Sequence, residues 1–313
     1  MFFLYKKDIN FLLKQVRVDT GFKQKDARKG VMSDVSYSKM ENGKKSVSFD
    51  EIILILDNLQ VSLEEFLTMY VQPILSESTR VKLFNYYNQL PSEEALESIF
   101  LMFEDLSERY PDISSDELGV YFDIKAIFHR EYSDKIPPIL HSEQQYVIKR
   151  LKNKAKHKLF LTDYKIVAQT INDLSVEEMK EVINVVFPIA SDTYLPIRSR
   201  QHISNIFMNS ITPMLKEKEY VWAAELLEIA ENHKFIFQDS YYYLAQFSYL
   251  KNIYLFFSQK DMLGLQKAYA IIEAIELIGE SDTASAMRNE LQELLEGEGR
   301  KGFSMQDINV GKV

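Results

Sequence analysis

The chain has no cysteine in 313 residues. That excludes disulfides, thiolate-held metals and thiol nucleophiles, and it fits a reducing compartment. Glycine and proline are scarce, ten and eight residues, so little in the chain breaks helices. No apolar run approaches the ~20 residues needed to cross a bilayer. The N-terminal stretch MFFLYKKDINFLLKQ places apolar residues before its charges, the reverse of a secretory signal. The expectation is a cytoplasmic protein with no membrane partner. Period-2 alternation is missing, as are a glycine-rich phosphate loop and a serine in a nucleophile elbow. The five histidines (His129, His141, His157, His202 and His233) are scattered without metal-ligand spacing. Neither an enzyme nor a metal or cofactor carrier is expected.

Charge is unevenly spread. The net charge is −9, yet residues 1–45 hold eleven Lys/Arg against five Asp/Glu. A basic head precedes an acidic body. Nucleic-acid binding needs only a local basic face, because counterion release is a short-range effect.

The head centres on SDVSYSKMENG, residues 33–43. Ser33 is placed to N-cap a short helix and Gly43 to end it at positive φ. Tyr37 and Met40, three apart, give one apolar seam, while Asp34, Ser38 and Lys39 point elsewhere. Lys44 and Lys45 follow at once. Before it, residues 6–19 predict a helix with Leu12, Leu13 and Val16 inward, and residues 24–29 a second, closed by Gly30. After it, Ser48 and Glu51 form a capping box for a fourth helix, and Ser62 with Glu65 a box for a fifth. The pattern is a compact five-helix module over residues 1–70.

Residues 71–296 read as almost wholly helical, with helices expected at 74–90, 92–109, 115–132, 142–155, 160–172, 175–189, 197–215, 219–232, 237–258, 262–279 and 282–296. Residues 297–313 form a glycine-containing flexible tail. The eighteen tyrosines and twenty phenylalanines sit mostly at helical spacing, as core. Residues 222–230 (WAAELLEIA) and 267–275 (KAYAIIEAI) echo each other as first helices of stacked pairs. This predicts degenerate, tetratricopeptide-like repeats whose inner face takes an extended peptide or a partner. Asn205 and Asn209 lie one turn apart on one helix face. Gln246, Tyr249 and Asn252 make a second polar stripe. Arg198 and Arg200 suit a carboxylate. Amide side chains offer a peptide unit both a donor and an acceptor. The same groups equally serve to cap, solvate or bond between neighbouring helices.

The run S-x-x-x-Y-S-x-M-E-x-G, at Ser33, Tyr37, Ser38, Met40, Glu41 and Gly43, resembles the recognition helix of the phage-repressor-like (XRE) helix-turn-helix family. Gln24 matches that family's glutamine at the start of the second helix, and the resemblance covers residues 7–70. Ala27 and a short interval from Gln24 to Ser33 depart from the pattern. The resemblance implies that Asp34, Val35 and Lys39 face base edges in the major groove of double-stranded DNA. It implies that Gln24, Asn42, Lys44 and Lys45 hold phosphates, with Ser33 and Ser38 on the same surface. Tyr37, Met40 and Glu41 are then structural. Taken with the repeats, the whole chain resembles the peptide-pheromone-responsive (RRNPP) regulators, nearest their Rgg/MutR and PrgX branches. That implies a homodimer, a short signalling peptide bound near Asn209, and regulated transcription. It also implies a C-terminal arm that changes position with peptide. Two other readings stay open on the residues alone: an adaptor acting on a protein partner, and a helix-turn-helix regulator sensing a metabolite.

Overall fold

The computed structural model describes residues 9–75, 78–154, 158–190, 195–238 and 240–297. The expected C-terminal arm, and residues 6–8 of the expected first helix, lie outside them. Among the described residues the architecture is all-α, with no strand. The chain divides into two compact units, residues 1–101 and 102–313.

The first unit holds α1 (Ile9–Asp19), α2 (Gln24–Ala27), α3 (Asp34–Glu41), α4 (Phe49–Asn58), α5 (Leu63–Leu75) and α6 (Thr79–Tyr87). The division falls within α7 (Glu93–Arg109). Local chemistry sets the helix ends. The Ser33 hydroxyl accepts from the Ser36 amide, and Gly43 sits at φ 68°. Ser48 and Glu51 exchange the two bonds of a capping box, as do Ser62 and Glu65. Leu12, Leu13 and Val16 meet Tyr37, Met40, Ile52, Ile55, Leu56 and Phe66 in one buried core. Ala27 is fully buried in that core. The Asn58 amide donates to the carbonyls of Ala27 and Lys29, at 3.0 and 2.9 Å. The short second helix is thus seated by polar clamps on its backbone as well as by a side chain. The helix expected at 74–90 is instead split: α5 runs through Pro73 to Leu75, and Ser78 caps a new helix by accepting from the Val81 amide. A cap-forming serine ended the continuity that the apolar period suggested.

The second unit comprises α8 (Ser115–Phe128), α9 (His141–Lys154), α10 (Leu161–Thr170), α11 (Val176–Val186), α12 (Ile197–Lys216), α13 (Tyr220–Asn232), α14 (Tyr241–Gln259), α15 (Met262–Leu277) and α16 (Ser281–Gly297). The helix expected from residue 237 starts later, at Tyr241, because Ser240 accepts the Tyr243 amide as its cap. The long α12 is the spine of the unit, packing against α10, α11, α13, α14 and α16. The echoing segments lie on α13 and α15. Each packs against the helix that follows it, and Ala223, Ala230 and Ala268 are fully buried there. Small side chains are what allow such approach.

The closest approach is at Gly264, where a Cβ would stand 2.6 Å from the Asn252 carbonyl oxygen. Neither backbone can yield without parting α14 from α15. Gly264→Ala is expected to destabilise the chain by about 1–3 kcal/mol, the usual cost of overpacking, read as a lowered unfolding midpoint. An unchanged midpoint would mean the two helices slide freely.

Polar groups are also built into this core. Lys125 of α8 and Glu143 of α9 form an ion pair at 2.6 Å, with side chains 1% and 4% exposed. Tyr121 and the Leu140 amide both donate to the same carboxylate. His233 bridges two segments: its Nε2 accepts from the Ile189 amide and its Nδ1 donates to the Ile229 carbonyl. Among the described residues no cluster of three or more His, Cys, Asp or Glu could hold a metal, and no helix is long and apolar enough to cross a membrane.

Candidate functional site

Two surfaces carry the residues singled out in the sequence, one in each unit. In the first, α3 buries Tyr37, Met40 and Glu41 and turns Ser33, Asp34, Val35 and Lys39 outward, with Ser38 half-buried. Val35 is 65% exposed, an isopropyl group in water with nothing of its own unit to cover it. Lys39 and Lys44 have no side-chain partner among the described residues.

The other candidates on this face are engaged internally. The Gln24 amide donates to Glu41 Oε2 at 2.6 Å. Asn42 donates to the Ser38 carbonyl at 2.7 Å and so closes α3. Lys45 pairs with Glu51 at 3.3 Å. Asp34 faces Arg28 Nε at 2.5 Å, an exposed pair worth about 0–1 kcal/mol. Its effect is more on charge than on stability, since a carboxylate on this face is matched by a guanidinium. Arg28 carries no signal in the sequence, because only the turn between α2 and α3 brings it to Asp34.

Glu41 holds the face together from behind. It receives Arg17 Nε at 2.5 Å and Nη2 at 3.1 Å as well as Gln24, and its own side chain is 1% exposed. Burial alone would push this carboxyl up. The hydrogen bonds from Arg17 and Gln24 outweigh it and hold the group below the ordinary carboxylate value. Burial, with Glu41 alongside, raises the Tyr37 phenol.

The second surface is an open groove of about 330 Å³ between α12, α14 and α16. Asn205 and Asn209 line one wall, Gln246 and Tyr249 another, and Glu290 the third. The amides of Asn205 and Asn209 make no hydrogen bond to described residues. Pro213, four residues on, has no amide to give the Asn209 carbonyl. Gln246 donates to the Tyr242 hydroxyl at 2.7 Å. Tyr249 is buried and donates to the Met287 carbonyl at 2.8 Å, which fastens α14 to α16 under the groove.

Not every expected residue comes to this place. Asn252 turns back to donate to the Ser248 carbonyl, and neither it nor Arg198 and Arg200, at the start of α12, lines the groove. Glu290 was missed in the sequence. It receives the Thr212 hydroxyl at 2.6 Å, and burial pushes its carboxyl above the ordinary value. Its segment, NELQELLEG, looks like any solvated acidic helix, and only the packing of α16 onto α12 reveals its surroundings.

Residues 13–66 match the helix-turn-helix family model. Residues 168–289 match that of the C-terminal domain of the HTH-type transcriptional regulator Rgg. No curated protein matches the chain in sequence. Among solved structures, the PrgX/iCF10 complex superposes with a TM-score of 0.76 at 21% identity, over 97% of this chain and 94% of that one. The PrgX/cCF10 complex gives 0.74 at 22%, over 95% and 94%. The SHP pheromone receptor Rgg2 of Streptococcus dysgalactiae gives 0.69 at 14%, over 91% and 99%. At such identities the likeness is one of fold.

Proposed function

We propose, on the matches of residues 13–66 and 168–289 to the helix-turn-helix and Rgg C-terminal family models, that this chain is an Rgg-type helix-turn-helix transcription regulator in which residues 1–70 read duplex DNA while a short peptide in the groove of residues 71–296 controls that reading. The protein acts in the cytoplasm, as a homodimer whose two heads meet half-sites about 34 Å apart. The observation that carries the peptide half is the groove's pair of uncommitted asparagine amides, Asn205 and Asn209, one turn apart on α12. Each offers the donor and the acceptor that one peptide unit needs, without a sheet edge. A groove of this size falls in the usual range for ligand sites. A bacterial peptide pheromone/receptor complex shares this fold, which supports a peptide as the occupant.

On the DNA side, Val35 and Lys39 are the outward residues whose chemistry reads bases, a methyl contact for thymine and a cation for guanine. Lys44 is the free phosphate ligand. Gln24, Asn42 and Lys45, being tied within the head, act by holding α3 and its following turn in register.

Two measurements test this. Thermal unfolding of the full chain with short apolar peptides encoded near its gene should show a midpoint that rises with peptide concentration. If no peptide moves it, the receptor half is wrong. Lys39→Ala should cost about 1–3 kcal/mol at cognate DNA and relax base preference at one position. An equal loss on every sequence, with a shallower salt dependence, would reduce Lys39 to a phosphate contact.

A further inference from the structure

Of the described residues that line the groove, Glu290 alone is charged. Its Oε1 accepts from the Thr212 hydroxyl, and the buried Tyr249 lies beside it with its own hydroxyl hydrogen given to the Met287 carbonyl. Lys216, whose charge is felt at Glu290, is itself paired with Glu293 at 2.7 Å. Among the described residues, then, Glu290 has no ion-pair partner, although it is half-buried. A carboxylate drawn out of water and faced by the Thr212 hydroxyl and a Tyr249 hydroxyl shared with the Met287 carbonyl, with no cation paired to it, is under-compensated, and burial pushes its pKa up in spite of both hydroxyls and of Lys216 nearby. The groove is therefore a site with neutral amides along α12 and an unmet negative charge at its α16 wall.

We propose that Glu290 makes the groove selective for an ammonium group on its ligand, presented by the free N-terminus or by a lysine of the bound peptide. The inference rests on the peptide-receptor reading above and adds a polarity to it. The amides of Asn205 and Asn209 hold main chain without regard to sequence, and Glu290 fixes which part of the ligand lies against α16. An N-blocked peptide without lysine leaves the carboxylate buried and unpaired, and so loses affinity. The carboxylic side chain that disfavours the empty groove thus becomes the group that discriminates among occupants.

The test uses the full-length protein and three synthetic pools of heptapeptides of mixed apolar residues, all C-terminally amidated. One pool has free N-termini, one is N-acetylated, and one is N-acetylated with a single lysine at any position. Retention on the protein is read by mass spectrometry, and the retained peptides are then titrated by thermal shift. The free-amine or the lysine pool should bind roughly ten- to a hundredfold better than the acetylated lysine-free pool, the range of a charge-assisted hydrogen bond. Which of the two binds identifies the source of the ammonium. Glu290→Gln keeps an oxygen for the Thr212 hydroxyl and should erase the preference while retaining weak binding of every pool. Equal retention of all three pools by the wild type overturns the role of Glu290 and leaves the receptor reading standing, as does a Glu290→Gln protein that still discriminates. Retention of no pool overturns both. If the variant does not fold, the wild-type comparison of blocked and free peptides decides alone.

Discussion

Glu143→Ala is expected to destabilise the second unit by about 3–5 kcal/mol, the usual consequence of stranding one member of a buried ion pair. The carboxylate collects both contacts from Lys125 Nζ at 2.6 Å, the Tyr121 hydroxyl at 2.5 Å and the Leu140 amide at 2.6 Å. The last of these bonds caps the start of α9. Its removal leaves an ammonium 1% exposed with only the Tyr121 hydroxyl near. Burial already lowers the Lys125 pKa, and Glu143 is what pulls it back up. Without the carboxylate, Lys125 either loses its proton or drags water into the core. The double substitution Lys125→Met/Glu143→Leu should recover most of the loss, because a buried pair roughly breaks even against apolar packing. A denaturant titration of the four proteins of this cycle measures the coupling. Additive effects would show that the pair is already hydrated.

Glu41→Ala should cost the head about 3 kcal/mol and remove DNA binding. Arg17 would keep its bond to the Phe22 carbonyl but lose two contacts, and Gln24 would lose its acceptor. Because α1, the start of α2 and the end of α3 all meet at this carboxylate, the recognition surface would lose its registration along with its stability. The effect depends on pH in a defined direction. Glu41 is held below its ordinary value in the folded head, so its contribution is fully present above the unfolded carboxylate pKa. It is lost as pH falls through the depressed folded value. Between those two values, wild type should lose stability with acid and Glu41→Gln should lose less, as followed by circular dichroism. Parallel acid profiles would mean that other carboxylates dominate.

The contrast between the two units shows what a sequence makes readable. In the head, short-range chemistry decides almost everything. Ser33, Gly43, and the Ser48–Glu51 and Ser62–Glu65 boxes act within four residues, and each forms in the structure as its spacing implies. The seam of Tyr37 and Met40 is buried as its period requires. In the body, helix existence was equally plain, but the site was only partly so. Asn205 with Asn209, and Gln246 with Tyr249, reach one groove because each pair shares a helix face. Asn252, six residues beyond Gln246 along the same stripe, bonds to the Ser248 carbonyl of its own helix instead. Tyr249, legible as polar, is spent on a carbonyl of α16. Glu290 and Arg28 were invisible, since their neighbours are fixed by packing and not by spacing. Local rules name the surfaces, and tertiary placement decides which polar groups remain free on them.

The groove has one more consequence, which follows from where its walls lie along the chain. Asn209 and Glu290 sit on α12 and α16, the spine of the unit and its last described helix. Beyond packing, α16 is held to α12 by the Thr212–Glu290 and Lys216–Glu293 contacts, and to α14 through Tyr249. Although α16 also packs on α15 and buries Ala284, Met287, Leu291, Leu294 and Leu295, single helices of a helical array open locally below the free energy of global unfolding. An occupant that touches α12 and α16 at once binds only while α16 is closed. At a concentration about a hundred times its Kd it raises the opening free energy by about 2.7 kcal/mol, and amide exchange along α16 slows roughly a hundredfold. The message that a ligand has arrived is then first written as the residence time of α16 on the spine.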